Sequence, residues 1–374
     1  MIATLRASEP LTFPALPPDL DTPRIVVDIS RVAANIDRLQ VEMDRRGIAL
    51  RPHAKTHKSV AIARMQLGAG ARGITVGTLG EAETFVAAGI TDVFVAYPVW
   101  ASTAKAARLR GLVAAAPGLR VGVESVAAVE RLADAMTEGE SRPAVLVEVD
   151  PGNGRTGVAS PGLALEIART ARDRGLDVIG VFSHGGHGYR PNRAARAGQD
   201  EVSALAAAAA ALRRGGFEVP VISAGSTPTM LSAATGAVTE MRAGTYVLGD
   251  RQQAILGSIP VEGCALAVAA TVVSVHDDRI VIDAGAKALT KDRADFLSGH
   301  GGIVGYPDLV IERVNDYHGI VVAPQARRRP GLGDVVAVIP NHVCPVVDLV
   351  DEITVLTASG SVEAWPVDAR GRSG

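Results

Sequence analysis

A lysine placed between a predicted strand and a predicted helix is the first residue of this chain that could do chemistry. Lys55 stands between His53 and His57 in RPHAKTHKSV, residues 51–60. The apolar residues 48–50 indicate a short buried strand, and apolar residues recur at helical spacing after residue 59. In parallel α/β folds, chemistry collects where strands end. A desolvated lysine crowded by cations can lose its proton there and form a Schiff base with a carbonyl; the alternative is an ordinary surface lysine.

Two glycine-containing turns after later strands could hold an anion. SAGST ends in Gly225, Ser226 and Thr227, and AGT ends in Gly244 and Thr245. Backbone N–H groups and hydroxyls in such turns can cradle a phosphate, although two ordinary tight turns would have the same sequences. A Schiff-base lysine and a phosphate cradle on one barrel rim are the combination that pyridoxal phosphate needs.

A histidine-rich loop and an arginine follow two other predicted strands. SHGGHGY contains His184, His187 and Tyr189, and one of these rings could stack on a cofactor or act as an acid or a base. The alternative is a solvated glycine-rich loop. In VDPGNGRTG, Arg155 could reach an anionic group or pair with a surface carboxylate.

A histidine and a cysteine far along the chain could bind a metal ion. His342 and Cys344 lie two residues apart in PNHVCPVVD, and on an extended segment both would face the same way. Imidazole and thiolate suit zinc or a similar divalent ion, and two protein ligands leave positions open for water and substrate. The alternative is a core cysteine beside a surface histidine. Cys264, within apolar CALAVAAT, is predicted to be core.

The elements that must position these residues alternate between strand and helix. RIVVDIS is interpreted as the first strand, followed by a capped helix from Ser30, and the alternation continues through VPVISAGST to AGTYVLGD. About eight such units in roughly 230 residues are typical of a (β/α)8 barrel. We therefore predict an α/β fold with a barrel over residues 25–254; a doubly wound sheet is the alternative.

The pattern changes after about residue 255. Seven short strands, spaced about ten residues apart with Gly, Pro and Asp turns between them, predict an antiparallel β domain over residues 255–374. This domain would carry His342 and Cys344. The proline-rich segment 1–24 is expected to pack on it.

Composition excludes several classes of protein. The chain has 374 residues and is 47% hydrophobic and 21% charged, which is typical of a globular protein. Its formal net charge of −2 gives no reason to expect a nucleic-acid or membrane-surface partner. Two cysteines cannot form a disulfide framework. With no signal peptide and no apolar run near ~18 residues, we expect a cytoplasmic protein.

The sequence resembles the D-threonine aldolase and D-serine dehydratase family of fold-type III pyridoxal phosphate enzymes, which are related to alanine racemase in their barrel. The matching segments cover nearly the whole chain: TPRIVVD, RPHAKTHKS, GARGITVGTLGEAE, HGGHGY, SAGSTPT, GTYVLGD, DAGAKAL and PNHVCP. The resemblance implies that Lys55 forms the Schiff base and that His342 and Cys344 bind the metal. It places Arg155, His184 and Tyr189 around the cofactor ring, and assigns the phosphate to Gly225, Ser226, Thr227, Gly244 and Thr245. Asp316 and His318 lie near a family motif that precedes the metal pair.

The resemblance implies a lyase that needs pyridoxal 5'-phosphate and zinc, manganese or magnesium, and that acts on D-3-hydroxy amino acids. Loss of the hydroxyl proton breaks Cα–Cβ and gives glycine and an aldehyde, as in D-threonine aldolase. Loss of the α-proton followed by departure of the metal-bound β-hydroxide gives a 2-oxo acid and ammonia, as in dehydratases of D-serine or D-threo-3-hydroxyaspartate. His57, His184 or a metal-bound water could be the base.

The motifs do not agree fully on the reaction. Several aldolases of the family carry His-x-Asp at the metal, whereas the dehydratases resemble the His342-x-Cys344 of this chain. The surrounding motifs favour aldolase activity over dehydratase activity by a narrow margin. An amino-acid racemase that needs no metal, and a non-catalytic binding protein, are weaker alternatives. The family implies a homodimer.

Overall fold

The computed structural model describes residues 10–137, 141–322 and 328–374. The chain divides into two compact units. We call Met1–Arg38, Thr56–Ala61 and Thr245–Arg370 the β unit, and Leu39–Lys55, Ile62–Gly244 and Gly371–Gly374 the barrel unit. Within the described ranges, no helix is both long enough and apolar enough to cross a membrane.

Eight parallel strands form the sheet of the barrel unit. They are β2 Ala49–Leu50, β3 Ile74–Val76, β4 Val93–Val95, β5 Arg120–Val123, β6 Ala144–Glu148, β7 Val178–Phe182, β8 Val221–Ala224 and β9 Glu240–Met241. Their order is β2-β9-β8-β7-β6-β5-β4-β3, and a parallel bridge between His53 and Thr75 joins the two ends. The sheet therefore closes on itself, which confirms the predicted barrel.

Helices alternate with these strands along the chain. They are α1 Ile29–Arg45, α2 Val60–Gly68, α3 Leu79–Ala87, α4 Thr103–Ala115, α5 Val126–Ala135, α6 Pro161–Asp173 and α7 Ala194–Arg214. The predicted inward positions of α1, Val32, Ile36, Leu39 and Met43, are all buried. Apolar residues at helical spacing therefore located this helix correctly.

Two predicted barrel strands are not in the barrel. The RIVVD segment forms β1, Arg24–Asp28, which belongs to the sheet of the β unit. In AGTYVLGD, Thr245–Val247 form a 3-10 turn, and the last barrel strand is the two-residue β9 instead. The count of about eight strands is correct. The first barrel strand is β2, which the apolar residues 48–50 indicated, and β9 takes the place of AGTYVLGD as the last.

Charged residues fill part of the barrel interior. The Arg51 guanidinium, 1% exposed, lies 2.7 Å from a Glu240 carboxylate oxygen and 2.7 Å from one of Asp92. Arg120 also reaches Glu240, at 3.2 Å. Burial disfavours the ionised form of Glu240, but Arg51 outweighs burial and lowers the pKa of the carboxyl below its usual value. The barrel therefore holds a paired buried charge where many barrels stack aliphatic side chains.

The β unit contains the second sheet. Its remaining strands are β10 Leu266–Val275, β11 Arg279–Ile282, β12 Gly302–Ile303, β13 Val310–Val314, β14 Gly319–Val322, β15 Val335–Ile339, β16 Glu352–Leu356 and β17 Val362–Pro366. The order is β13-β14-β11-β10-β1-β16-β17, with β15 pairing β10 and β12. β1 pairs antiparallel with β10 and parallel with β16. The seven predicted strands are all present, and β17 was missed.

Short helices and the N-terminal segment complete the β unit. The helices are α8 Arg251–Ile255, α9 Ala286–Leu289 and α10 Val343–Val347. Leu11, Phe13 and Leu16 pack against a buried cluster that contains Cys264 and Ile339. Residues 11–16 of the N-terminal segment therefore pack on this unit, residues 1–9 lie outside the described ranges, and Cys264 is a core residue.

Candidate functional site

Lys55 lies in a 3-10 turn, Ala54–Thr56, between β2 and α2. Its side chain is exposed. The turn is anchored by the His53 N–H, which donates to the Ala243 carbonyl at 3.0 Å. His57 is fully buried, and its Nδ1 accepts from the Ser59 N–H at 3.1 Å. The structure places Lys55 between a strand and a helix as predicted, with its amine accessible to a ligand.

His184 follows β7 and lies in surroundings that disfavour its protonated form. Burial, followed by the positive charges of Lys55, Arg155 and Arg242, lowers the pKa of His184 well below its usual value. The ring is therefore neutral at neutral pH. Its centroid lies 6.2 Å from that of Tyr189, with the planes inclined by 35°.

These residues fit pyridoxal phosphate. Lys55 offers the amine for a Schiff base, and His184 offers a neutral ring suited to stacking. The charges of Lys55, Arg155 and Arg242 converge on that ring, so the surroundings favour an anionic ligand. Arg242 is buried, and its Cζ lies 5.8 Å from the centroid of the Phe94 ring and 5.3 Å from that of the Phe182 ring. Sequence analysis did not select Arg242, which lies between the SAGST and AGT motifs.

The SAGST loop is held by a buried carboxylate that sequence analysis missed. Glu201 of α7 accepts from the Gly225 N–H at 3.0 Å and from the Thr229 hydroxyl at 2.6 Å. The Ser226 N–H donates in turn to the Thr229 hydroxyl, at 3.2 Å. The N–H groups of Gly225 and Ser226 are thus engaged inside the protein. The assignment of the phosphate to this loop stays a prediction, with Thr227 and the side-chain hydroxyls of the loop as further candidate donors.

A second buried carboxyl lies at the end of β6. Glu148 is 3% exposed, and burial raises its pKa. The Thr156 hydroxyl donates to Oε1 at 2.8 Å, while Oε2 has no hydrogen-bond partner among the described residues. Arg155 and Arg242 oppose the pKa shift, so Glu148 lies among the same cations as His184.

The metal pair lies at the start of a short helix and not on an extended segment. His342 is extended, with φ −143° and ψ 115°, and caps α10, whose first turn contains Cys344. The prediction of an extended pair is therefore wrong, but the two side chains still meet. Burial disfavours a charged His342 ring, yet the Cys344 thiolate and a hydrogen bond from the ring to Asp292 raise its pKa to about 11.

The surroundings of the pair fit a divalent cation. Imidazole and thiolate are zinc-type ligands, and each must be deprotonated where it binds the ion. Within residues 10–137, 141–322 and 328–374, no group of three or more His, Cys, Asp and Glu side chains could hold a metal ion. Two protein ligands would leave open positions, as a catalytic metal requires.

Two hydroxyls and a buried carboxylate surround the pair. Cys344 Sγ lies 3.3 Å from Thr56 Oγ1 and 3.9 Å from Thr245 Oγ1. Asp250 is fully buried and accepts from the N–H of Val343, between the two ligands, at 3.2 Å. Burial raises the pKa of Asp250 to about 6. Thr245, predicted to bind phosphate, thus approaches the thiol that is predicted to bind the metal.

The carboxylate beside His342 is not that of Asp316, the acid near the family motif. Asp316 and His318 are exposed in the turn between β13 and β14, where the Asp316 carbonyl accepts from the Lys287 N–H. Asp292 bonds to His342 instead. The separation of Asp292 and His342 along the chain gave no motif by which to find it.

Comparison with known proteins adds two domain matches. Residues 27–252 match the family model described as alanine racemase, N-terminal domain, and residues 265–356 match the putative serine dehydratase domain. The first match spans the barrel strands, and the second spans β10 to β16.

Two characterised relatives align with nearly the whole chain. D-threo-3-hydroxyaspartate dehydratase of Delftia sp. (strain HT23) is 38% identical over 92% of this chain and 97% of its own length. D-threonine aldolase of Arthrobacter sp. is 35% identical over 96% of each. A solved structure described as a cysteine-to-alanine variant of D-threo-3-hydroxyaspartate dehydratase in the metal-free form superposes with a TM-score of 0.84. It is 37% identical and covers 93% of this chain and 97% of that chain.

Proposed function

The chain belongs to the alanine racemase-like family of fold-type III pyridoxal phosphate enzymes that contains these relatives, and from this premise we propose that it is a metal-assisted dehydratase of D-3-hydroxy amino acids. That it is a pyridoxal phosphate-dependent lyase follows from the family. The metal dependence and the choice of dehydration are our proposal.

One observation carries the metal dependence. The Cys344 thiol contacts the hydroxyls of Thr56 and Thr245. Thr56 directly follows Lys55, and Thr245 directly follows Gly244, in the chain. Chain connectivity thus supports a single reaction in which Lys55, the cofactor-binding turns and the metal pair take part.

Different residues of this chain would have different roles in the reaction. When bound, the cofactor would withdraw electrons from the substrate Cα, and the divalent ion held by His342 and Cys344 would polarise the β-hydroxyl as a Lewis acid. Lys55 and neutral His184 can each accept the α-proton, because the lowered pKa keeps His184 unprotonated. His57 is fully buried with Nδ1 engaged, so we assign it a structural role and not that of the base.

The thiol ligand supports dehydration over retro-aldol cleavage. Cys344 is the ligand type that distinguishes this chain from the His-x-Asp aldolases, and a cysteine variant of the dehydratase relative is described as metal-free. The second candidate, aldolase activity, is supported by the D-threonine aldolase relative and by the sequence motifs that placed it first. Both reactions would use the same substrates and the same metal.

A product assay tests the proposal. The protein loaded with pyridoxal phosphate and Zn²⁺ is incubated with D-threo-3-hydroxyaspartate, D-serine and D-threonine, and ammonia, 2-oxo acid and glycine are measured. Ammonia with 2-oxo acid supports dehydration, and glycine with an aldehyde establishes the aldolase instead. Activity that persists unchanged after chelation and dialysis contradicts the metal role.

A spectroscopic test addresses the lysine separately. The Lys55→Ala variant should bind pyridoxal phosphate without the visible absorbance of the lysine Schiff base. Lys291→Ala, an exposed lysine of the β unit, is the matched control and should keep the absorbance. Full absorbance in Lys55→Ala refutes the assignment of Lys55.

A further inference from the structure

We propose that Asp292 is a positioning residue that orients the His342 imidazole toward the divalent ion. This inference rests on the proposed metal role of His342 and Cys344 and adds a residue that neither the sequence motif nor the resemblance identified. Asp292 lies fifty residues before His342, in the segment after α9, and both belong to the β unit.

The hydrogen bond fixes which ring nitrogen faces the ion. Asp292 Oδ2 lies 2.5 Å from His342 Nδ1, so this nitrogen carries the shared proton. Nε2 then presents its lone pair to the metal, because a neutral imidazole has one donor and one acceptor nitrogen. A carboxylate that accepts from the distal nitrogen of a metal-binding histidine also increases the basicity of the ring. The geometry thus suits Asp292 to orient His342 toward an ion.

The backbone around Asp292 is built to hold this carboxylate in place. Thr290 ends α9 with φ +63° and ψ 178°, a conformation that is otherwise almost confined to glycine and costs roughly 1–3 kcal/mol. The Thr290 hydroxyl accepts from the Asp292 N–H at 3.2 Å. Asn341, which precedes His342, donates to the Gly299 carbonyl at 3.0 Å and to the Asp292 carbonyl at 3.5 Å. The segment that carries Asp292 is therefore tied to the segment that carries the ligands.

Asp292 contributes little to the core. Its side chain is 51% exposed, against 32% for His342, so an ion pair between them would add little to stability on its own. Asp292 can therefore be substituted without unfolding the β unit. This separates its effect on the metal from any effect on the fold.

The test measures metal affinity by titrating the metal-free protein with Co²⁺. Binding is monitored through the sulfur-to-cobalt charge-transfer absorbance band, which reports Cys344 as a ligand. Asp292→Ala should weaken Co²⁺ binding by roughly 10–100-fold. Asp292→Asn keeps an oxygen that accepts from Nδ1 and should bind more tightly than Asp292→Ala. Asp295→Ala removes an exposed carboxylate of the same segment and should bind like the wild type.

The possible outcomes separate the two proposals. If the wild type shows no charge-transfer band, the proposed metal role of Cys344 fails, whatever Asp292 does. If the wild type binds and Asp292→Ala binds with the same affinity, the inference about Asp292 is overturned while the metal site stands. Equal affinities of Asp292→Asn and Asp292→Ala would also contradict orientation through the hydrogen bond. Retention of the band in Asp292→Ala at saturating Co²⁺ shows that the variant is folded around Cys344.

Discussion

Replacement of Arg51 by methionine should destabilise the barrel unit, because it leaves a buried carboxylate short of its main partner. Arg51 lies 2.7 Å from Glu240 and 2.7 Å from Asp92. The Glu240 side chain is only 5% exposed, whereas that of Asp92 is 39% exposed and can be hydrated. Methionine keeps most of the side-chain volume, so the change removes charge without opening a large cavity.

The expected loss of unfolding free energy follows from the two carboxylates that pair with Arg51. Loss of one member of a buried ion pair costs about 3–5 kcal/mol. Arg120, 3.2 Å from Glu240, remains as a second cation, which places the loss near the lower limit, at about 3 kcal/mol. Asp92 should add less than about 1 kcal/mol, since it is partly hydrated.

The loss of unfolding free energy in Arg51→Met should be smaller in mild acid than at neutral pH. Despite burial, Arg51 holds the pKa of Glu240 below the usual value of 4.5. The ion pair therefore stabilises the wild type above that value and is lost as the pH falls through the lowered pKa. In Arg51→Met the pKa of Glu240 should rise, so Glu240 takes up a proton in mild acid. The difference in unfolding free energy between wild type and variant should therefore shrink as the pH falls from 7 toward 4.5.

Urea denaturation followed by circular dichroism at several pH values measures these differences. Arg45→Met is the matched control, because Arg45 pairs with Glu42 while its own side chain is 67% exposed. The control should leave the urea midpoint unchanged. An Arg51→Met variant that loses no more stability than Arg45→Met, or a loss that grows in acid, would refute the reasoning.

Three further predictions concern the loops and the thiols. Gly225→Ala should lower stability by roughly 1–3 kcal/mol and weaken cofactor binding, because Gly225 has φ +121° and a Cβ would lie 2.3 Å from Met241 Sδ. Gly89→Ala, with φ +85° and open space around it, is the control for backbone strain in a melting experiment. In the metal-free native protein, a thiol reagent at pH 8 should modify Cys344 and spare Cys264, whose pKa burial raises to about 12. Added Zn²⁺ should protect Cys344 from the reagent, and a chelator should restore its reactivity, as read by mass spectrometry.

The sequence predicts the periodic elements well and the strand partners poorly. Apolar spacing located α1, because helical periodicity is a local property. The RIVVD segment is apolar on both faces and would suit either sheet; only pairing with β10 and β16 decides its place. β9 was missed because it has two residues, one of them Glu240, whose burial depends on Arg51. A charged residue in so short a strand carries no recognisable pattern.

In the candidate site, too, the sequence predicts the residues that stand in local motifs and misses those that act across the fold. Lys55, His342 and Cys344 could be chosen from the sequence because reactive residue types stand at short spacing in motifs. Glu201 and Asp292 could not, because each acts on a residue far along the chain, through hydrogen bonds that only the folded backbone creates. Their side chains are common acids on ordinary segments.

The place of β1 between β10 and β16 affects how the protein is made. In the register of β1 and β16, Asp28 is paired with Leu356, which lies 328 residues later in the chain. A ribosome adds about 5–20 residues per second, so this stretch takes on the order of 15–65 s to synthesise. Through that interval the apolar β1 strand has been made but lacks its parallel neighbour. Nascent chains stalled before β10 should therefore expose β1 to chaperones and proteases, and a β10–β17 fragment expressed alone should remain open to a β1 peptide supplied in trans.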